Sequence, residues 1–157
     1  AAAGGSVDLC LLAASVVRQH AHPAEQKRIS LECDEAAGAM PGVACEAGIA
    51  FQAITNLVSN ALKFTPRGGR VRVRVGASAH RVRVDVADDG PGVPEAERGL
   101  LFREHARLSP TPTAGEESHG LGLSIVKQLV EAQGGTVGAE FPPSGGSLFW
   151  FDLPAVR

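Results

Sequence analysis

Two asparagines and a lysine at helical spacing are the first residues in this chain whose types could do chemistry. Asn56, Asn60 and Lys63 lie within the segment FQAITNLVSNALKF at residues 51–64. Their spacing places them within an arc of about 60° on one side of a helix. The apolar residues fall on the other side: Phe51, Ile54, Val58, Ala61 and Leu62. Either this is a solvated amphipathic helix, or it presents two carboxamides and an ammonium to a ligand.

A second candidate is the segment DDGPG at residues 88–92, which follows a predicted strand. Two glycines spaced by one residue let the backbone approach a flat ligand closely. Asp88 could then accept a hydrogen bond from an exocyclic amine and so select adenine, because a buried acceptor discriminates against an analogue that lacks the donor. The alternative is an ordinary Asp-Gly turn.

A third candidate is the segment GLGL at residues 120–123, just before a predicted helix. Glycines at a helix N-terminus expose backbone N–H groups at the positive end of the helix dipole, which suits a phosphate. The segment is neither a Walker loop nor a dinucleotide fingerprint, because neither spacing of glycines is present. The alternative is that these glycines allow close helix packing.

The elements that would position these residues follow from the apolar periodicity. Residues 20–27 interrupt the first helix at Pro23, Pro66 ends the asparagine helix near Thr65, and residues 43–45 could form a brief strand. The pattern predicts helices at 7–19, 51–64 and 124–133, a strand at 29–33, and hairpins of 70–75 with 81–86 and of 136–141 with 147–153. The segment 94–107 begins with Pro94, a good first helical residue. In the last helix, Leu121, Ile125 and Leu129 are predicted to lie on one side. The fold class is α/β, an α+β two-layer sandwich whose mixed, mostly antiparallel sheet has its helices on one face.

The first hairpin alternates arginine and valine strictly. Its valines are predicted to point inward, and its outward face carries Arg70, Arg72, Arg74, Arg81 and Arg83. This face could bind phosphates, but a solvated sheet face is favoured because the chain is slightly acidic and no aromatics are interleaved.

Composition excludes several classes of function. The 157 residues carry a net charge of −2 and 44% hydrophobic residues, which fits one globular domain and argues against a dedicated nucleic-acid binder. No apolar run approaches a membrane span, and residues 1–6 are predicted to be a linker. Three dispersed cysteines fit a reducing compartment, and the five histidines show neither metal-ligand spacing nor a catalytic triad.

The order of these segments resembles the catalytic ATP-binding domain of bacterial sensor histidine kinases, in the superfamily that also contains gyrase. The resemblance rests on NLVSNALKF, DDGPG, the phenylalanine segment LFREHAR at 101–107, and GLGL followed by Gly134 and Gly135, and it covers residues 7–157. It implies a Bergerat-type ATP-binding fold with an ATP lid at about 103–119.

The resemblance also implies roles for individual residues. Asn60 would coordinate Mg²⁺, Asp88 would bind the adenine amine with Gly90 and Gly92 beneath the ring, and Lys63 and Arg107 would contact phosphates. The implied catalytic residues are Asn56, Lys63 and Arg107. The implied nucleotide-binding residues are Asn56, Asn60, Lys63, Phe64, Asp88, Gly90, Gly92, Phe102, Gly120, Leu121, Gly122 and Leu123.

Three positions qualify the resemblance. His105 replaces a common second aromatic, and Ser118 replaces a common first glycine, so lid packing and the turn into the last helix are expected to differ. ATP-hydrolysing relatives carry a glutamate that activates water at the position of Asn56. A neutral amide is not a strong base, so the sequence predicts kinase rather than ATPase chemistry.

The expected function is transfer of the γ-phosphoryl of Mg-ATP to a histidine on a separate dimerisation domain, for relay to a response regulator. No histidine here has a phosphoacceptor context, so this domain is expected to be weakly active or inactive alone. The parent protein is expected to be a homodimer at the bacterial inner or plasma membrane, with this domain cytoplasmic and free of membrane and nucleic-acid contacts. The alternatives are a nucleotide-binding interaction module and a related serine kinase.

Overall fold

The protein is a two-layer sandwich of one sheet and a set of helices that cover one of its faces. The computed structural model describes residues 6–34, 40–103 and 122–156. The elements are α1 (Leu9–Gln19), α2 (Ala21–Gln26), β1 (Ser30–Cys33), α3 (Ala47–Phe64), β2 (Arg70–Ser78), β3 (Arg81–Asp88), a 3-10 helix (Glu95–Leu100), α4 (Leu123–Ala132), β4 (Thr136–Glu140) and β5 (Ser147–Pro154). In the described residues, the strand order is β1-β2-β3-β5-β4, with β1 parallel to β2 and every other pair antiparallel. This confirms the predicted fold class.

The alternating valines determine which sheet face is covered. Val71 pairs across from Asp88, Val73 from Val86 and Val75 from Val84. Side chains alternate between the two faces of a strand, so this register places all the valines on the side of the helices. The six predicted inward valines are buried: Val71, Val73, Val75, Val82, Val84 and Val86. The connection between β2 and β3 is shorter than the predicted five residues, because β2 continues to Ser78.

The opposite face of the sheet, here called the open face, carries the arginines and Trp150. Arg74 Nε lies 2.9 Å from Asp34 Oδ2, and Arg81 Nη2 lies 3.1 Å from Asp152 Oδ1. Arg83 is paired with Asp85 and Glu140. Most of these arginines therefore already have a carboxylate partner on a solvated surface, which agrees with the favoured interpretation of this stripe.

Helix α3 packs on β2 and β3 and contacts both α1 and α4 within the helix layer. It begins at Ala47, four residues before the predicted start, and ends before Pro66, as predicted. Lys27 stabilises that end: its Nζ donates to the backbone carbonyls of Leu62 at 2.6 Å and Lys63 at 3.1 Å. A cation at a helix C-terminus satisfies carbonyls that have no partner within the helix.

Three helical segments show details that the sequence pattern did not predict. Residues 21–26 form the short helix α2, because Pro23 sits in a first turn where no N–H is needed. The segment after Pro94 forms only a 3-10 helix within the described residues. Helix α4 buries Leu123, Val126 and Val130, while Ile125 is 46% exposed. This helix has two apolar stripes, and only its packing against α3 and the sheet decides between them.

Two further features concern the predicted reducing compartment and membrane spans: the state of the cysteines and the length of the helices. Cys45 is buried, Cys10 and Cys33 are half-buried, and all three are free thiols whose pKa is raised, mainly by burial. Among the described residues, every helix is too short or too polar to cross a lipid bilayer.

Candidate functional site

The C-terminal end of α3 meets the turn that follows β3. Gly90 in that turn is buried, and a Cβ added to it would lie 3.0 Å from the carbonyl oxygen of Phe64 and 2.8 Å from Asp88 Oδ1. Real Cβ atoms are rarely found so close to other atoms, so a side chain here would displace the Asp88 carboxylate or the Phe64 carbonyl. The structure therefore brings three predicted site residues together. We call this region, comprising the end of α3 and residues 88–92 and 142–147, the α3 junction.

Asp88 is the last residue of β3 and is largely withdrawn from solvent. Its Oδ1 accepts a hydrogen bond from the backbone N–H of Gly90 at 2.7 Å, and its carboxylate accepts a second from the backbone N–H of Ser147. The pKa of Asp88 is raised to about 6, above all by burial; the two N–H groups lower it, and the adjacent Asp89 carboxylate raises it. A carboxylate has about four acceptor positions, so Asp88 can accept further donors.

The turn between β4 and β5 forms the other side of the junction. Gly146 has a φ of +81°, and a Cβ there would overlap the carbonyl oxygen of Asp88. Gly92, with a φ of +73°, would bring a Cβ within 3.3 Å of the Gly146 carbonyl oxygen. Both residues are therefore required to be glycine by conformation, and Gly146 also by contact. Gly90, Gly92 and Asp88 are thus held in one place by a second glycine turn.

The polar side of α3 is not uniformly solvated. Asn60 is only 7% exposed, whereas Asn56 and Lys63 are half-buried. A buried carboxamide has donors and acceptors that must be satisfied, so its position on the helix is specific. This burial disfavours the alternative of a wholly solvated helix face.

The donor set around Asn60 limits what metal it could hold. Within the parts of the chain that the structure describes, no group of three or more His, Cys, Asp or Glu side chains is arranged to bind a metal. Mg²⁺ commonly takes one or two protein oxygens and completes its shell with phosphates and water. The buried Asn60 fits that mode and not a metal cage built from protein ligands.

Helix α4 lies next to α3 in the helix layer. Gly122 precedes the helix with a φ of +67°, and Leu123, its first residue, is 1% exposed. In the sequence just before the predicted lid, Leu101 is buried and Phe102 is half-buried. The remaining predicted positions, Arg107, Gly120 and Leu121 with the departures His105 and Ser118, lie outside the described residues.

Some residues that shape this region were missed from the sequence. Gly146 was interpreted only as part of a hairpin turn and Ser147 only as the start of a strand, yet both contact Asp88. Arg98 packs on the Phe141 ring, with its Cζ 4.4 Å from the ring centroid, and donates to the Val93 carbonyl at 3.0 Å. The glycine pair at 145–146 is the one local signal that could have indicated a close approach.

Comparison with known proteins identifies the family of this chain. Residues 46–157 match the family described as histidine kinase-, DNA gyrase B-, and HSP90-like ATPase. The sensor histidine kinase AruS of Pseudomonas aeruginosa is 45% identical over 107 residues, which are 65% of this chain and 11% of that protein. The matched sensor kinases are longer proteins, of which this chain spans between 11% and 37%.

Solved structures show the same fold. Full-length ShkA in complex with AMPPNP superimposes with a TM-score of 0.83 at 31% identity, over 98% of this chain and 31% of that one. The histidine kinase ThkA in complex with the response regulator protein TrrA superimposes with a TM-score of 0.79 over 97% of this chain and 42% of that one; at 22% identity, this likeness concerns the fold alone. Because the family match covers most of the chain and includes the α3 junction, the chain belongs to the histidine kinase-, DNA gyrase B-, and HSP90-like ATPases, as a catalytic ATP-binding domain of the sensor histidine kinase type.

Proposed function

We propose that this domain binds Mg-ATP at the α3 junction and delivers its γ-phosphoryl group to a histidine on a separate dimerisation domain of the parent protein. The observation that carries the proposal is Asp88: a withdrawn carboxylate, oriented by two backbone N–H donors, beside a glycine turn that packs on the end of the asparagine helix. An acceptor with unused capacity in such a place suits the exocyclic amine of adenine.

In this proposal, the other residues divide between base, metal and phosphates. Gly90 and Gly92 lie under the adenine, with Phe64 and Phe102 near it. The oxygen of Asn60 holds a Mg²⁺ that also binds phosphate oxygens, which would neutralise negative charge during transfer. The phosphates contact Lys63, Arg107 and residues 120–123, which lead into α4, and residues 103–119 close over the nucleotide. Asn56 lines the site without acting as a base towards water.

Phosphoryl transfer depends mainly on positioning and charge neutralisation, so a domain of this kind can bind nucleotide without turning it over. The acceptor histidine and its dimerisation domain would supply the missing half of the active site. The parent is proposed to be a homodimeric, membrane-associated bacterial sensor with this domain in the cytoplasm. Its phosphohistidine would pass the group to a response regulator.

The first experiment is a titration with adenine nucleotides, with and without Mg²⁺, followed by thermal shift and calorimetry. Trp150 is a poor reporter, because it lies on the open face, where the Arg83 Cζ is 4.3 Å from its ring centroid. We expect ATP to stabilise the domain, Mg²⁺ to strengthen the effect, and GTP to bind much more weakly, because guanine has a carbonyl oxygen where adenine has its 6-amino group.

The matched variants are Asp88→Asn at the junction and Asp85→Asn on the open face of the same strand. We expect the first to weaken ATP binding at least about tenfold and the second to leave binding unchanged. Equal binding by both variants, or no binding by the unmodified protein, would contradict the proposed site. Transfer itself is tested with the full-length parent, which should form an acid-labile phosphohistidine that Asp88→Asn abolishes.

A further inference from the structure

A second carboxylate, Asp89, lies where the β2–β3 ladder ends. The last backbone pair joins Val71 and Asp88, so Arg70 and Asp89 occupy the next position. There, the ladder is continued by a side chain: Asp89 Oδ2 accepts a hydrogen bond from the backbone N–H of Arg70 at 2.9 Å. A carboxylate bound to a backbone N–H makes a stronger hydrogen bond than a neutral acceptor does.

This bond connects the two segments that form the α3 junction. Arg70 follows the turn that leaves α3, in which the N–H of Gly69 donates to the Pro66 carbonyl at 2.9 Å. A Cβ at Gly69 would lie 3.6 Å from Asp89 Cβ, so the turn packs closely on the Asp89 side chain. One residue on, Gly90 packs on the carbonyl of Phe64. The end of α3 is therefore held against the turn carrying Asp88 at two adjacent points.

We infer that Asp89 is a positioning residue of the nucleotide site: its carboxylate fixes the turn that carries Asp88 relative to the end of α3 that carries Asn60 and Lys63. Because base and phosphate groups of one ligand must reach both segments, a change in their separation weakens binding. The inference rests on the proposed function, since it concerns affinity for the same nucleotide.

Asp89 also acts through its charge. Of the charged groups described near Asp88, Asp89 is the one that raises its pKa; the turn at 146–147 contributes a backbone N–H, and α3 contributes the Phe64 carbonyl. The Arg70 guanidinium lies on the open face, 4.0 Å from Glu32. Removing the charge of Asp89 should therefore lower the pH at which Asp88 loses its proton.

Two substitutions separate position from charge. Asp89→Asn keeps an acceptor at the right length and removes the charge, whereas Asp89→Glu keeps the charge and moves the acceptor by one methylene. ADP affinity is measured by calorimetry between pH 5 and pH 8, well below the unfolding temperature, and exchange of the Arg70 amide is followed by NMR. Glu140→Gln on the open face is the control.

We expect Asp89→Glu to weaken ADP binding about three- to tenfold, to speed exchange of the Arg70 amide, and to leave the pH midpoint of binding in place. We expect Asp89→Asn to retain affinity at pH 8 and to move the midpoint to lower pH. If the Asp89→Glu variant binds ADP as tightly as the unmodified protein does while its Arg70 amide exchanges faster, the role of Asp89 is structural only and the inference is overturned. If the unmodified protein binds no nucleotide, the proposed function fails and the inference fails with it.

Discussion

The open face and the α3 junction both contain carboxylates of β3, but the groups that bind these carboxylates differ. On the open face, Asp85 is paired with Arg83, and Asp34 and Asp152 are paired with other arginines. At the junction, the hydrogen bonds described for the Asp88 carboxylate come from backbone N–H groups. A carboxylate matched by a cation is already neutralised, whereas one held only by amides keeps its charge and spare acceptor positions for a ligand.

This difference separates surface ion pairs from the proposed nucleotide site more clearly than the residue types do. Arginine-rich strands and an Asp-Gly turn are both common, and each had a structural alternative from the sequence. The arginines proved to be partners of neighbouring acids. The aspartate proved to be withdrawn from solvent, with its geometry defined by two glycine turns.

The largest expected effect comes from filling the close contact at Gly146. Gly146→Ala should destabilise the domain by about 2–4 kcal/mol, because a Cβ would overlap the Asp88 carbonyl and the φ of +81° disfavours an L side chain. Gly145→Ala is the control: its φ is +107°, but a Cβ there meets nothing within 4 Å. It should cost only about 1 kcal/mol. Equal unfolding midpoints for the two variants in urea would show that the contact does not constrain the junction.

The next effect is the pH dependence due to Asp88. Its pKa in the folded protein, about 6, lies above the ordinary 3.8, so the folded state binds this proton more tightly. The associated stability is present below pH 4 and is lost as the pH rises to about 6, by about 3 kcal/mol. Denaturation of the unmodified protein and of Asp88→Asn at several pH values isolates this contribution.

Bound adenine nucleotide should reduce the stability that is lost as the pH rises, because the ionised Asp88 carboxylate is the better acceptor for the adenine amine. Asp85→Asn serves as the control on the open face. A difference between Asp88→Asn and the unmodified protein that does not change between pH 4 and pH 7 would contradict the distinct environment of Asp88.

A smaller effect is expected at Lys27, a cation near the junction that binds backbone carbonyls at the end of α3. Lys27→Met should lower the free energy of unfolding by about 1–2 kcal/mol, because it leaves part-buried carbonyls without their charged donor. Lys127→Met on α4 is the matched control. Hydrogen exchange should quicken in the last turn of α3 in the first variant alone; unchanged exchange there would argue against the cap.

The smallest effect should come from the open face. Arg74→Gln removes an ion pair with Asp34 in which the arginine side chain is 59% exposed. The expected loss is below about 1 kcal/mol, and it should shrink further in high salt. A loss as large as that of Gly146→Ala would remove the contrast between the two regions.

Much of this protein was determined by local pattern. The alternation from Arg70 to Val86 was enough to predict two strands and their buried face, because side-chain direction in a strand has a period of two. Pro66 was enough to end α3, because proline cannot continue a helix. The order of the asparagine, aspartate and glycine segments was enough to predict the family.

The tertiary structure decided what depends on contacts between distant segments. In the folded protein, α4 buries Val126 rather than Ile125, and Asn60 is buried. Gly146 lies against Asp88. Periodicity describes one element at a time, so it offers two equally apolar stripes on α4 and no partner for a hairpin glycine. Those choices follow only when the helices pack on the sheet and close contacts exclude the alternatives.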